Sequence, residues 1–216
     1  MRKINLKTFL AIVSSCVVFN TGIGLAKAQE NESIYGTHAV VFTPVLISGE
    51  LKGCQLAYRS VKPDRTGPPV LIVGSIIFTL FKDHPALSLK IGIKNLVGGG
   101  PIFPPHFAYL GTKSYSTAKM KKNMIDIDNG FRMFTYSLHD KPAMDLMVEM
   151  TLSNRINISF NQKEGGMDEL VPIDLRVIDA EYTSDKKIIR KYSQETMLNF
   201  TECFLELNKM IPDLKK

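Results

Sequence analysis

The sequence predicts an α+β fold: one antiparallel β-rich domain, a sandwich or partly open barrel, with a mid-chain helix and a C-terminal helix packed on the sheet. Three observations carry this. Apolar and polar residues alternate at period two in several short segments, among them Leu87, Leu89, Ile91 and Ile93, and again Ile156, Ile158 and Phe160. Asp128-Asn129-Gly130 stands between two apolar runs, and Asn-Gly in that setting is a strong hairpin signal. Near the end, Met197, Phe200, Cys203, Phe204, Leu207 and Ile211 follow the 3.6-residue period of an amphipathic helix. A chain of 216 residues, 44% hydrophobic and 22% charged, is long enough for one domain with a packed core. It has no internal repeat and no low-complexity tract, which excludes solenoids, collagens and coiled coils.

The first 28 residues read as a cleaved signal peptide. Arg2, Lys3 and Lys7 form a positive start, Phe9 to Phe19 is apolar, and Ala26-Lys27-Ala28 places small residues where signal peptidase reads them. Two rival readings are an uncleaved anchor and a lipoprotein. Asn20 and Thr21 interrupt the apolar run short of the roughly 20 residues a membrane span needs. Val13-Ser14-Ser15-Cys16 resembles a lipobox but is followed by Val17-Val18-Phe19 rather than a polar tether. Setting residues 1–28 aside lowers the 27 basic residues to 23, against 21 acidic ones. The nearly neutral remainder argues against a nucleic-acid partner. The expected location is the periplasm or the extracellular space, with no transmembrane segment in the mature chain.

After a flexible start over residues 29–36, the domain is expected from 37 to 216. His38 to Ser48 is β-branched and broken by Pro44, which suits an edge or bulged strand. Around Cys54 the side chains alternate, with Cys54, Leu56 and Tyr58 on one side. Lys62 to Pro69 is turn-rich. Val70 to Phe81 is apolar on both faces, as in a central strand covered on both sides. Residues 98–105 form a Gly- and Pro-rich connection, Phe107 to Leu110 a short strand, and residues 111–123 a polar, basic loop tip. The Asn-Gly hairpin joins Met124–Ile127 to Phe131–Leu138.

Residues 141–153 fit both periods: Ala143, Leu146, Met147 and Met150 would line a helix, while Met144, Leu146, Val148, Met150 and Leu152 alternate. Strong helix formers, with Asp140 to cap and Pro142 in the first turn, favour the helix. Gly165-Gly166 then turns a hairpin whose return strand carries Val171, Ile173, Leu175 and Val177. Lys187 to Lys191 adds a short strand. Ser193 caps the last helix and Pro212 ends it.

Cys54 and Cys203 are the cysteines left after signal removal, and an even count in an exported protein predicts one disulfide; two separate buried thiols are the alternative. No other motif carries chemistry. His38, His84, His106 and His139 are scattered without metal-ligand spacing. Asp126-x-Asp128-Asn129-Gly130 starts like a calcium loop but has Ser137 at the twelfth position, where a bidentate acid is required. Gly98-Gly99-Gly100 is not followed by a phosphate-loop lysine. No catalytic residue, metal or cofactor is therefore assigned.

The candidate binding surface combines two loops. Ile102, Phe103, His106 and Phe107 come from the Pro-rich connection, and Lys119, Lys121 and Lys122 from the basic tip, which offers a weak contact to anionic surfaces. Ile102 and Phe103 either face a partner or tuck under the sheet. The expected function is an exported, non-enzymatic module binding a protein or envelope component; the alternative is a hydrolase or other enzyme whose site assembles only in three dimensions.

Gly53-Cys54-Gln55-Leu56, Ile156 to Phe160, Val171-Pro172-Ile173-Asp174-Leu175 and Phe200 to Leu207 follow one another in an order that resembles the small exported proteobacterial proteins of the invasion-associated locus B type. The chain differs in having no cysteine pair within residues 129–142. The resemblance implies an envelope protein that contacts a host or other envelope components, and carries over no catalytic residue.

Overall fold

The computed structural model describes residues 34–63, 69–81, 84–139, 141–184 and 187–210. Residues 1–33, with the segment read as a leader, and Asp140, Ile211 and Pro212 lie outside the described residues. In chain order the elements are β1 (Gly36–Ile47), β2 (Glu50–Lys62), β3 (Val70–Phe81), β4 (His84–Asn95), β5 (Phe107–Gly111), β6 (Lys122–Ile127), β7 (Phe131–Ser137), α1 (Lys141–Ser153), β8 (Arg155–Asn161), β9 (Glu169–Asp174), β10 (Val177–Tyr182), β11 (Ile188–Tyr192) and α2 (Glu195–Lys209). The strands make antiparallel sheets ordered β1-β2-β3-β4-β7-β6, β5-β8-β9 and β10-β11, with no closed barrel. The α+β class and both helices are as the sequence predicts.

Alternation builds the core. Val40, Leu56, Ile76, Leu89 and Phe134 stand on one face of the large sheet in successive strands and are buried. The smaller sheet covers that face with Ala108, Leu110, Ile156, Ile158, Phe160, Val171 and Ile173, and one apolar cluster joins them. α1 takes the helical alternative and buries the predicted stripe of Ala143, Leu146, Met147 and Met150. α2 lies on β1 and β2 and reaches β3: Phe200 meets Phe42 on β1 at 6.5 Å and Phe204 meets the Phe78 ring on β3 at 4.8 Å. Gln194, not the expected Ser193, stands at the N-cap of α2 and makes no side-chain cap bond, while Ser193, the residue before, accepts the Glu195 N–H at 3.1 Å. Cys54 and Cys203 are bonded, with Cα atoms 6.0 Å apart, so the helix is tied covalently to the sheet.

Tyr58 and Gly74 lock the centre of the large sheet. They face each other across β2 and β3, and the buried Tyr58 hydroxyl donates to the Lys90 carbonyl on β4 at 3.1 Å. A Cβ at position 74 would stand 1.9 Å from that carbonyl oxygen and 2.7 Å from the hydroxyl, so only glycine fits.

Three further expectations need correction. β3 is central but covered on one face. The Cys54–Cys203 bond, the Tyr136–Ala108 hydrogen bond and the Lys62–Glu169 ion pair all leave from the covered face, while Leu71, Val73 and Ile77 on the opposite face are only half-buried. The strand expected to continue through Val177 ends at Asp174. The Asp174 carboxylate accepts the Arg176 backbone N–H at 3.1 Å and its guanidinium at 2.9 and 2.6 Å, a local turn that redirects the chain into β10. The basic loop tip gives up its last residues to β6, which begins at Lys122.

Candidate functional site

The residues of the predicted surface fall into three settings. Phe103 is half-buried against the core, and its N–H and C=O pair with Ile93 at 2.8 and 2.9 Å. Ile102 is half-buried on the opposite face, its methyl standing over Gly92, where a Cβ would be only 2.5 Å away. The carbonyl of Ile102 also sits where a Cβ on Gly130 would come within 2.0 Å, and Gly130 has φ +80°, so the Asn129-Gly130 turn and this connection are fitted to each other. Lys119 is exposed on the loop and Lys121 beside β6.

Phe107 and Lys122, 15 positions apart, are brought together. The Lys122 ammonium stands 3.6 Å from the centre of the Phe107 ring, a cation–π contact worth about 0.5–1 kcal/mol at a partly exposed site. Burial lowers the Lys122 pKa below its usual value. Behind it the Phe107 ring packs edge-on against Phe134 at 6.1 Å. Arg132 fixes the same end of the smaller sheet, donating to the Pro105 carbonyl at 2.9 Å and the His106 carbonyl at 3.1 Å while pairing with Asp126. The His106 ring is exposed.

Lys121 and Lys122 also line a cleft of about 480 Å³ at one end of the large sheet, with Pro85, Ala86, Asn123, Thr135, Tyr136, Ser137 and His139. No Asp or Glu is among these lining residues. Tyr136 is kept neutral: burial raises its pKa to about 12, and its hydroxyl donates to the Ala108 carbonyl at 3.1 Å. The cleft is therefore lined by two lysines, a histidine and polar residues, a composition suited to an anionic group, although the Tyr136 and Thr135 hydroxyls are bonded within the protein. Thr135, Tyr136 and Ser137 were absent from the sequence-derived surface. The signal for them lay in the hairpin, since a three-residue Asp128-Asn129-Gly130 turn fixes the register that sets Tyr136 opposite Lys122.

The loop carrying Lys113 and Tyr115 is held from α1. Glu149 accepts from the Thr112 hydroxyl at 2.6 Å and the Ser114 N–H at 3.3 Å.

A second cleft, of about 450 Å³, lies where β1, β9 and β11 meet and is lined by Tyr35, Thr37, Arg155, Asp174, Arg190 and Tyr192 among others. Its charges are largely committed to structure: Arg190 donates to the Thr37 and Tyr35 carbonyls, and Arg176 holds Asp174. The Asp174 carboxyl is pushed up by burial, but the Arg176 hydrogen bonds outweigh this and hold it below its usual value.

His38 is buried, 2.8 Å from the Ile34 carbonyl, and burial lowers its pKa. Among the described residues no group of three or more His, Cys, Asp or Glu side chains could hold a metal ion, and no helix is long and apolar enough to cross a membrane. No family model, curated protein or solved structure matches the chain.

Proposed function

We propose that the chain is an exported, non-enzymatic binding module whose contact surface is the basic end of the large sheet, where it takes an acidic group of a protein or envelope partner. The observation that carries this is the 480 Å³ cleft in which Lys121 and Lys122 meet a histidine and polar residues with no carboxylate among the lining residues. An ammonium pair without an internal counter-charge gains most from an incoming anion. Phe107, held under Lys122, adds an aromatic surface beside it. Export is supported by the leader-like residues 1–28 and by the Cys54–Cys203 bond, since such bonds persist in oxidising compartments. The resemblance to exported invasion-associated locus B proteins points the same way.

Two experiments test the reading. Intact mass of protein recovered from the envelope or medium is expected to show a chain starting at Gln29; a retained Met1 or a lipidated Cys16 contradicts it. Lys121→Gln with Lys122→Gln is expected to fold normally and to lose the partner that the unaltered protein captures from envelope extract. Capture unchanged by the double substitution places the surface elsewhere.

A further inference from the structure

We infer that β6 is a self-pairing edge: two copies of the chain join antiparallel through Lys122–Ile127, continuing the large sheet across a two-fold axis. The inference goes beyond the binding reading and shares with it Lys121, Lys122 and Asn123.

The other outer edges of the two larger sheets are guarded. β1 contains Pro44, which has no N–H to donate, is bulged at Thr37/Ala39 and Val45/Leu46, and lies against β10. The free side of β5 is covered by the following loop, where the Thr117 N–H reaches the Leu110 carbonyl and its hydroxyl takes the Leu110 N–H, both at 2.9 Å. β9 contains Pro172, and its Asp174 N–H is taken by the Thr37 hydroxyl. β6 has none of these devices. Among the described residues its backbone hydrogen bonds run to β7 alone, so alternate residues turn unpaired N–H and C=O groups outward. Met124 and Ile125 at its centre are 51% and 53% exposed.

The charges name the occupant. Lys121 and Lys122 stand at the start of the strand and Asp126 and Asp128 at its end, with the two apolar residues between. Antiparallel pairing of β6 with its own copy about a two-fold axis at Ile125 keeps the two faces in line, sets Ile125 against its own copy and brings Lys122 opposite the partner copy's Asp128 at each end. Asp126 already shares Arg132, whereas Asp128 is exposed. A copy aligned parallel would set lysine against lysine and aspartate against aspartate, so the charges select the antiparallel arrangement. Six residues span about 20 Å, a small contact of the transient class.

The test is sedimentation of the purified chain, with its disulfide intact, up to about 1 mM, the range a transient contact of this size requires. The expected result is a monomer–dimer equilibrium that weakens severalfold as salt is raised. Ile125→Lys is expected to be monomeric throughout, with an unchanged melting profile; because Ile125 does not line the lysine cleft, dimerisation and anion binding are read separately. Lys121→Glu/Lys122→Glu and Asp126→Lys/Asp128→Lys are each expected to be monomeric alone and to dimerise when mixed. A monomer at every concentration, a dimer that survives Ile125→Lys, or a mixture of the two charge-reversed variants that stays monomeric overturns the proposal.

Discussion

Gly74→Ala attacks the centre of the large sheet, and the structure sets its cost. The new methyl carbon would lie 1.9 Å from the Lys90 carbonyl oxygen, 2.9 Å from its carbon and 2.7 Å from the Tyr58 hydroxyl. Real Cβ contacts begin near 3 Å, so β3 and β4 must separate by about 1 Å or tilt, against a cost of about 1–3 kcal/mol for overpacking. That movement stretches the Tyr58–Lys90 hydrogen bond, 3.1 Å long and buried, and leaving such a hydroxyl unpaired costs about another 1–3 kcal/mol. The expected loss is about 2–6 kcal/mol, read by urea denaturation with the disulfide intact. Tyr58→Phe alone is expected to cost about 1–2 kcal/mol. It is not expected to rescue Gly74→Ala, because the closest clash is with backbone. A loss below about 1 kcal/mol for Gly74→Ala, or rescue by Tyr58→Phe, would refute the reasoning.

Replacing Cys54 and Cys203 together by alanine opens a covalent ring spanning 149 positions, for which chain entropy sets an upper loss of about 5 kcal/mol; about 2–5 kcal/mol is expected by denaturant titration, with α2 amides the first to gain hydrogen exchange. His38 is buried and its pKa lies below 6.5, so between the folded and unfolded values the unfolded chain binds more protons. Its contribution is present above pH 6.5 and is lost as pH falls through 6.5 towards the folded pKa; His38→Gln is expected to remove that part of the slope in denaturation runs between pH 5 and 8. Glu149→Ala is expected to cost about 1–2 kcal/mol and to raise amide exchange at Ser114 and Tyr115 while leaving the sheets protected.

The legible parts of this fold were those where local pattern and tertiary need agree. Leu87, Leu89, Ile91 and Ile93 alternate and are all buried, and the α2 stripe from Met197 to Leu207 faces the sheet as its period requires. The Cys54–Cys203 bond followed from two inward positions and an even cysteine count. What failed to show rests on specific side-chain contacts and on the meeting of distant segments. Apolarity on both faces of β3 suggested two covers, but cross-strand neighbours half-bury Leu71, Val73 and Ile77 without a second layer. The break at Asp174 depends on a side-chain turn with Arg176 that interrupts an otherwise perfect alternation. At the site, the lysines were visible as a basic run, whereas the contact of Lys122 with Phe107 depends on β5 and β6 meeting in space, which neither segment's own pattern records.

The central claim is that the basic end of the large sheet receives an acidic group, and NMR titration of the labelled chain with a short glutamate-rich peptide tests it most directly. The account predicts shift changes concentrated at Lys121, Lys122, Asn123, Thr135, Ser137 and His139, weakening with salt and lost in Lys121→Gln/Lys122→Gln. Shifts centred on Arg155 and Arg190 in the second cleft, or changes at the lysine cleft that persist in the double variant, would contradict it.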